Sequence, residues 1–228
     1  MSENCAILVA GGTGTRMNAD IPKQFLFLAG EPVLMHTIRI FHLYDPSMLL
    51  FVVLSEKYIP LWKELCRERS FAIPHQIIKG GTNRFGSVRN ALEEISGEGF
   101  VAIHDGVRPL VSLETLGRTF TGAAKYGNSV PVIPMKESIR ETGPGGNKEV
   151  LRDNLRIVQT PQVFRISIIK KAYTSAPHQS FTDDATVMET LGETIHLVEG
   201  NPENIKLTSP SDLICAEAIL RHSTLQDE

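Results

Sequence analysis

The chain has 228 residues, 42% of them hydrophobic and 21% charged, with a formal net charge of −3 at pH 7. This is an ordinary globular composition with room for one sizeable core, and its mild acidity argues against broad nucleic-acid binding while leaving room for a local basic pocket. No apolar run approaches eighteen residues, so no membrane span is expected.

The opening MSENCAILV has no basic region before its apolar run, and that run is short for a signal peptide. A cytoplasmic protein is the expectation. Cys5, Cys66 and Cys215 are widely spaced and form no CxxC, which reads as reduced core thiols. The histidines show no spacing of a transition-metal site.

Taken in order, strand-like and helix-like segments alternate. Residues 5–9 read as a strand, and 32–42 as a helix with Leu34, Ile38 and Phe41 on one face. The continuous apolar run 49–54 reads as a strand covered on both faces. Tyr58, Leu61 and Leu65 mark a helical stripe, 76–78 a short strand, 87–95 a helix, 100–103 a strand, 112–126 a helix and 129–133 a strand. The rhythm predicts a Rossmann-like, doubly wound, mostly parallel sheet with helices on both faces.

It breaks between Met135 and Val158, a polar stretch with a GPGG turn at residues 143–146 and too few apolar residues for a core of its own. A protruding β-hairpin arm that leans on something else is expected over 136–158. Helices are expected again at 166–174 and 183–191, a strand at 194–198, and a last helix opened by Ser209-Pro210-Ser211-Asp212. The whole of 1–228 reads as a single domain.

Ligands of such sheets bind beyond the carboxyl ends of the strands. There the chain places AGGTGTRM from Ala10, KGGTNRFGS from Lys79, HDGVRP from His104 and EGNPENIK from Glu199. The first loop is neither GxGxxG nor a GK[ST] phosphate loop. It keeps their physics. Glycines let backbone N–H groups approach phosphate oxygens, and Arg16 and Lys23 add cationic donors. Asp105, just after an apolar strand, is placed to hold Mg²⁺. His104 reads as a structural hydrogen-bonding neighbour, and Ser87 lacks the GxSxG elbow of a hydrolase.

These loops, with PKQF, QTPQVF at 159–164, TDDATVME at 182–189 and ENIKLTSPSDL at 203–213, resemble the 2-C-methyl-D-erythritol 4-phosphate cytidylyltransferases, in order and over almost the whole chain. The sister ribitol-5-phosphate cytidylyltransferases share most nucleotide loops, and AGG and HDGVRP lean toward them. ENIKLTSPSDL and TDDATVME lean toward the methylerythritol group. A non-catalytic nucleotide-binding protein on the same fold is the alternative of another class.

The resemblance implies transfer of CMP from CTP, with Mg²⁺, to a sugar-alcohol phosphate, releasing pyrophosphate. It implies that the backbone of Ala10, Gly11, Gly12, Thr13 and Gly14, with Gly81, Thr82 and Ser87, cradles CTP, and that Gly81 and Ser87 read the cytosine edge. Arg16 and Lys23 would hold the triphosphate, Asp105 would position the metal, and Lys206 would bridge nucleotide and acceptor. Thr160 and Asp183 would line the acceptor pocket. Ser138 and Arg152 of an arm exchanged in a homodimer, with Arg108, would meet the acceptor phosphate. No catalytic base stands out. A phosphate monoester, with a second pKa of about 6, is already a nucleophile at neutral pH.

Overall fold

The computed structural model describes residues 4–12, 21–176 and 181–224. In chain order the elements are β1 (Cys5–Val9), a 3₁₀ turn (Lys23–Phe25), β2 (Phe27–Leu28), β3 (Glu31–Pro32), α1 (Val33–Tyr44), β4 (Leu49–Leu54), α2 (Ile59–Glu68) and β5 (Gln76–Lys79). Next come α3 (Arg84–Glu94), β6 (Phe100–Asp105), α4 (Leu113–Tyr126), β7 (Asn128–Pro134), β8 (Ile139–Gly143) and β9 (Gly146–Val150). The chain closes with β10 (Arg156–Val158), β11 (Gln162–Arg165), α5 (Ile166–Ser175), α6 (Asp184–Glu189), β12 (Leu197–Glu199) and α7 (Pro210–Thr224).

The central sheet runs β5-β4-β1-β6-β11-β7-β10, with β12 also paired to β7. β1 is parallel to β4 and β6, β4 to β5, and β12 to β7. β11 lies antiparallel between β6 and β7, and β10 is antiparallel to β7. The sheet is therefore mostly parallel and doubly wound, as the alternation of elements predicts.

Side chains of β1 alternate between its two faces. Ala6 and Leu8 join the cluster under α1, α2 and α4, around Leu34, Phe41, Trp62 and Phe120. Cys5 and Ile7 join the one under α3 and α5, around Val88, Leu92, Ile169 and Tyr173. Burial on both faces is why β1, β4 and residues 100–103 of β6 are continuous apolar runs.

Several boundaries differ from the sequence reading, for local reasons. Helix α3 starts at Arg84 rather than residue 87, because the Asn83 side chain caps it by accepting the Gly86 N–H at 2.7 Å. Strand β6 continues through His104 and Asp105, so the aspartate ends the strand instead of following it. The late strand is Leu197–Glu199, set by its register against β7. The arm expected over 136–158 projects only as the β8–β9 hairpin, which pairs with itself from Ile139↔Val150 to Gly143↔Gly146. Its last residues, Arg156–Val158, return to the main sheet as β10, where β-branched Ile157 and Val158 pair with β7.

Strands β10 and β11 follow β7 along its length with a bulge between them. Val158 pairs with Val132 and Val163 with Ser129, so five steps on one chain oppose three on the other. Such a bulge re-aims the residues it contains. Gln159, Thr160 and Gln162 are among them, and all three line a cavity at the carboxyl ends of the parallel strands.

Candidate active site

Three loops meet where β1, β5 and β6 end. Ala10 and Gly11 leave β1, the Ala10 N–H bonding the Val53 carbonyl of β4 at 2.9 Å. Behind this loop the buried Gln24 amide donates to the carbonyls of Ala10, at 2.6 Å, and Gly12, at 3.1 Å. A carbonyl held from behind keeps its peptide oriented, so Gln24 shapes the glycine loop. In the sequence Gln24 stands within PKQF without a role of its own. Its one signal is a polar residue between Lys23 and an apolar phenylalanine.

The second loop, 79–87, is closed by Ser87. Its hydroxyl donates to the Asn83 carbonyl at 2.8 Å and accepts the Gly81 N–H at 3.1 Å. A Cβ on Gly81 would stand 2.6 Å from the carbonyl carbon of Gly86, so close backbone approach demands glycine there. The third loop follows β6. A Cβ on Gly106 would stand 2.9 Å from that of Ala10, and glycine in HDG lets the first and third loops touch.

Together these loops bound a cavity of about 350 Å³ lined by Ala10, Gly11, Gly12, Lys23, Gly81, Thr82, Ser87, Asp105 and Lys206, among others. A second cavity of about 320 Å³ is lined by Arg108, Thr160, Thr182, Asp183 and neighbours. Arg84, Asp105 and Lys206 line both.

At this junction Asp105 gathers cations. Its Oδ2 stands 3.0 Å from Lys206 Nζ and 3.2 Å from Arg108 Nε, and its Oδ1 stands 3.8 Å from Arg84 Nε. Burial alone would raise its pKa. Lys206, Arg84 and Arg108 outweigh burial and hold the carboxyl far below the usual range. Arg84 is gripped in turn by Asp184, a buried residue that in the sequence is one letter inside TDDATVME. Lys23 Nζ donates to the Leu207 carbonyl at 3.0 Å.

The backbone of Asp105 is fixed from beneath. The Nε2–H of buried His104 donates to the Arg108 carbonyl at 3.0 Å, so Nδ1 accepts the Thr160 hydroxyl at 3.0 Å. Thr160 Oγ1 accepts the Asp105 N–H at 3.1 Å. Burial pushes the His104 pKa down to about 4, against the hydrogen bond to Arg108, and keeps the ring neutral. Asp183 caps α6 by accepting the Thr186 N–H at 3.1 Å, and its other oxygen accepts from Gln162 at 3.0 Å.

Among the sequence-derived site residues, Ala10, Gly11, Gly12, Lys23, Gly81, Thr82, Ser87, Asp105 and Lys206 lie around the first cavity, and Arg108, Thr160 and Asp183 around the second. Thr13, Gly14 and Arg16 lie outside the described residues. Ser138 is exposed at the base of the arm, and exposed Arg152 donates to the Lys136 carbonyl at 2.5 Å. Neither is among the described lining residues of the two cavities. Among the described residues no three His, Cys, Asp or Glu side chains gather to cage a metal. The buried carboxylate of Asp105 is the kind of oxygen donor that a hard ion such as Mg²⁺ takes.

A doubly wound sheet with glycine loops and clustered cations at its carboxyl edge defines the class of α/β nucleotide-binding enzymes that handle phosphorylated ligands. The match can be made closer. The family described as 2-C-methyl-D-erythritol 4-phosphate cytidylyltransferase matches residues 4–222, and the chain belongs to it. A relative of that name from Bacteroides fragilis is 46% identical over 215 residues, 94% of this chain and 98% of the relative. The crystal structure of 2-C-methyl-D-erythritol 4-phosphate cytidylyltransferase from Thermus thermophilus superposes with a TM-score of 0.79 at 29% identity, covering 97% of this chain and 100% of that one. That of 4-diphosphocytidyl-2C-methyl-D-erythritolsynthase from Anaerococcus prevotii gives 0.83 at 25% identity, covering 96% of each chain. The family placement favours the methylerythritol group over its ribitol sister. Among the described residues no helix is long and apolar enough to cross a membrane.

Proposed function

We propose that this chain transfers the cytidylyl group of CTP to 2-C-methyl-D-erythritol 4-phosphate. An oxygen of the acceptor phosphate forms a bond to the α-phosphorus of CTP, the α–β bridging bond breaks, and pyrophosphate leaves with the electron pair. The observation that carries this reading is the junction of two cavities at one cationic cluster, Arg84, Lys206 and their shared partner Asp105. The first cavity takes the nucleotide and the second the sugar-alcohol phosphate.

The barrier is electrostatic. Two unit charges about 4 Å apart repel by roughly 4 kcal/mol at an effective dielectric near 20, and two phosphates carry more charge than that. Lys23, Arg16 and Lys206 act by holding phosphate oxygens and offsetting charge that builds in the transition state. The peptides of the Ala10 loop donate to CTP, and Gly81 and Ser87 read the cytosine. Arg108, Thr160 and Asp183 orient the acceptor, which needs no general base. Asp105 would be the carboxylate that holds Mg²⁺, and the bound ion would supply further charge neutralisation there.

The arm joins two copies of the chain as a homodimer and brings Ser138 and Arg152 of each to the acceptor phosphate of the other. Support comes from the apolar surface at its base, where Leu151 is 72% and Val158 43% exposed. Of the cysteines expected in the core only Cys5 is buried, Cys66 being half-buried and Cys215 exposed on α7, and as free thiols they fit a reducing compartment, the cytoplasm.

The test is pyrophosphate release from CTP and Mg²⁺ with methylerythritol phosphate, ribitol 5-phosphate or no acceptor. Release only with the first is expected. Release only with ribitol 5-phosphate reassigns the acceptor, and release with neither removes the reaction.

A further inference from the structure

Arg108 lines the second cavity with two of its three guanidinium nitrogens already committed. Its Nε donates to Asp105 Oδ2 at 3.2 Å, and its Nη1 donates to the Asn204 carbonyl at 2.7 Å. Two fixed points set the plane of a guanidinium. Nη2 has no hydrogen-bond partner among the described residues, which leaves it for an anion in the cavity. Asn204 itself is fully buried and is not among the described lining residues of either cavity. Its side-chain Nδ2 donates to the Thr160 carbonyl at 2.7 Å, and its N–H donates to the Asn201 carbonyl at 3.0 Å. One residue thus ties Arg108, from the loop after β6, to Thr160, in the bulge before β11. Its Oδ1 is buried with no partner among the described residues. An unpaired buried acceptor is costly and offsets what the one side-chain bond contributes to stability. What this side chain contributes is placement.

We propose that Asn204 is a positioning residue for the acceptor: its carbonyl and its side-chain amide hold Arg108 and Thr160 in one register, so that the guanidinium meets the phosphate while Thr160 borders the rest of the same sugar-alcohol phosphate. The inference rests on the reaction proposed above. Without the amide, the Asn204 peptide loses its tie to Thr160, its carbonyl can turn away, and the plane of Arg108 is no longer set. The nucleotide side is spared. Lys206, two residues on, is anchored separately, because the Leu207 N–H donates to the Val107 carbonyl at 2.9 Å and the Leu207 carbonyl accepts from Lys23. In the sequence Asn204 is overshadowed by Lys206 of the same ENIK stretch, since a buried amide announces no charge.

The test is steady-state pyrophosphate release with CTP and the acceptor titrated separately. Asn204→Ala is expected to raise KM for the acceptor at least ~10-fold and to leave KM for CTP within about 3-fold of native. A merely structural role predicts that the two KM values stay native or rise together, and either result overturns the proposal. A double-mutant cycle then asks whether Asn204 acts through Arg108. Arg108→Lys keeps a positive charge beside Asp105 and removes the planar fork that reaches Asn204. In that background Asn204→Ala is expected to raise KM for the acceptor less than ~3-fold, and an equal rise in both backgrounds overturns the role. Asn204→Ser is carried through the same cycle with the same inequality expected, in case the alanine variant does not fold. Failure of both variants to fold makes the side chain a structural requirement and also overturns the role. Absence of release by the native chain with either acceptor refutes the proposed reaction and this role with it, whereas release with equal rises removes only the role of Asn204.

Discussion

The ammonium of Lys23 donates to the main-chain carbonyl of Leu207 at 3.0 Å, across 184 residues of sequence. Leu207 directly follows Lys206, so the bond places two lysines from opposite ends of the chain on one cavity. The Leu207 N–H is itself held by the Val107 carbonyl at 2.9 Å, so the anchor belongs to the loop after β6. A cavity with two lysines on its wall attracts a polyanion before any specific contact forms.

Replacing either lysine removes charge at the reacting phosphorus. Lys23→Ala and Lys206→Ala are each expected to lower turnover by roughly 10²-fold, the scale of deleting one oxyanion donor. Arg16→Ala is expected to match them. Steady-state pyrophosphate release at saturating CTP checks this, and near-native turnover in all three variants would remove the clamp from the mechanism.

Gly81 is a steric requirement rather than a conformational one. An added Cβ meets the Gly86 carbonyl carbon at 2.6 Å, and backbone cannot rotate aside as a flexible side chain can. Gly81→Ala is expected to cost about 1–3 kcal/mol of stability, the usual range for forced overpacking, and to lower Tm by several degrees. Since the displaced atoms shape the nucleotide loop, KM for CTP is expected to rise at least ~10-fold. Calorimetry and kinetics on one preparation measure both, and an unchanged KM would detach this loop from the nucleotide.

The fold was legible where burial imposes a pattern and obscure where pairing depends on distant chain. Runs such as Leu49–Leu54 announce strands because both faces are covered. Strand β11 hides because it carries the buried amide of Gln162, satisfied by Asp183, Asp184 and Ala185, residues far along the chain. The site divides the same way. Glycines and cations that follow strands could be read from order alone. Gln24 and Arg84 could not, since their roles come from what lies behind the loop. For α3, Asn83 three residues before Gly86 is a capping signal that places the helix start ahead of residue 87.

His104 gives the protein an acid-sensitive element. Its folded pKa is about 4, below the ordinary value of 6.5, so between these limits the unfolded chain binds a proton that the folded chain does not. Stability is therefore expected to fall as pH drops from about 6.5 toward 4, by roughly 3 kcal/mol from this group. Asp105 acts elsewhere: its folded pKa is depressed, so its contribution is present above the unfolded carboxylate pKa and is lost at more acid pH. His104→Gln is expected to flatten the urea midpoint across that interval. An unchanged slope would assign the acid limb to other groups.

The arm allows a separate test of assembly. Strands β8 and β9 pair only with each other among the described residues, while Leu151, at 72% exposure, and Leu197, at 55%, leave apolar surface uncovered near its base and along the sheet edge. A two-stranded ribbon with little apolar surface of its own is poorly stabilised in water and gains from packing against a partner. Replacing residues 139–150 with a short Gly-Ser linker is expected to convert a dimer into a monomer in sedimentation, and Leu151→Asp to weaken association at least ~10-fold. If Ser138 and Arg152 reach the acceptor phosphate of the neighbouring copy, the shortened chain should show a raised KM for the acceptor with near-native CTP binding. A native sedimentation coefficient per mass, or a loss confined to CTP binding, would take the arm out of both the dimer and the acceptor site.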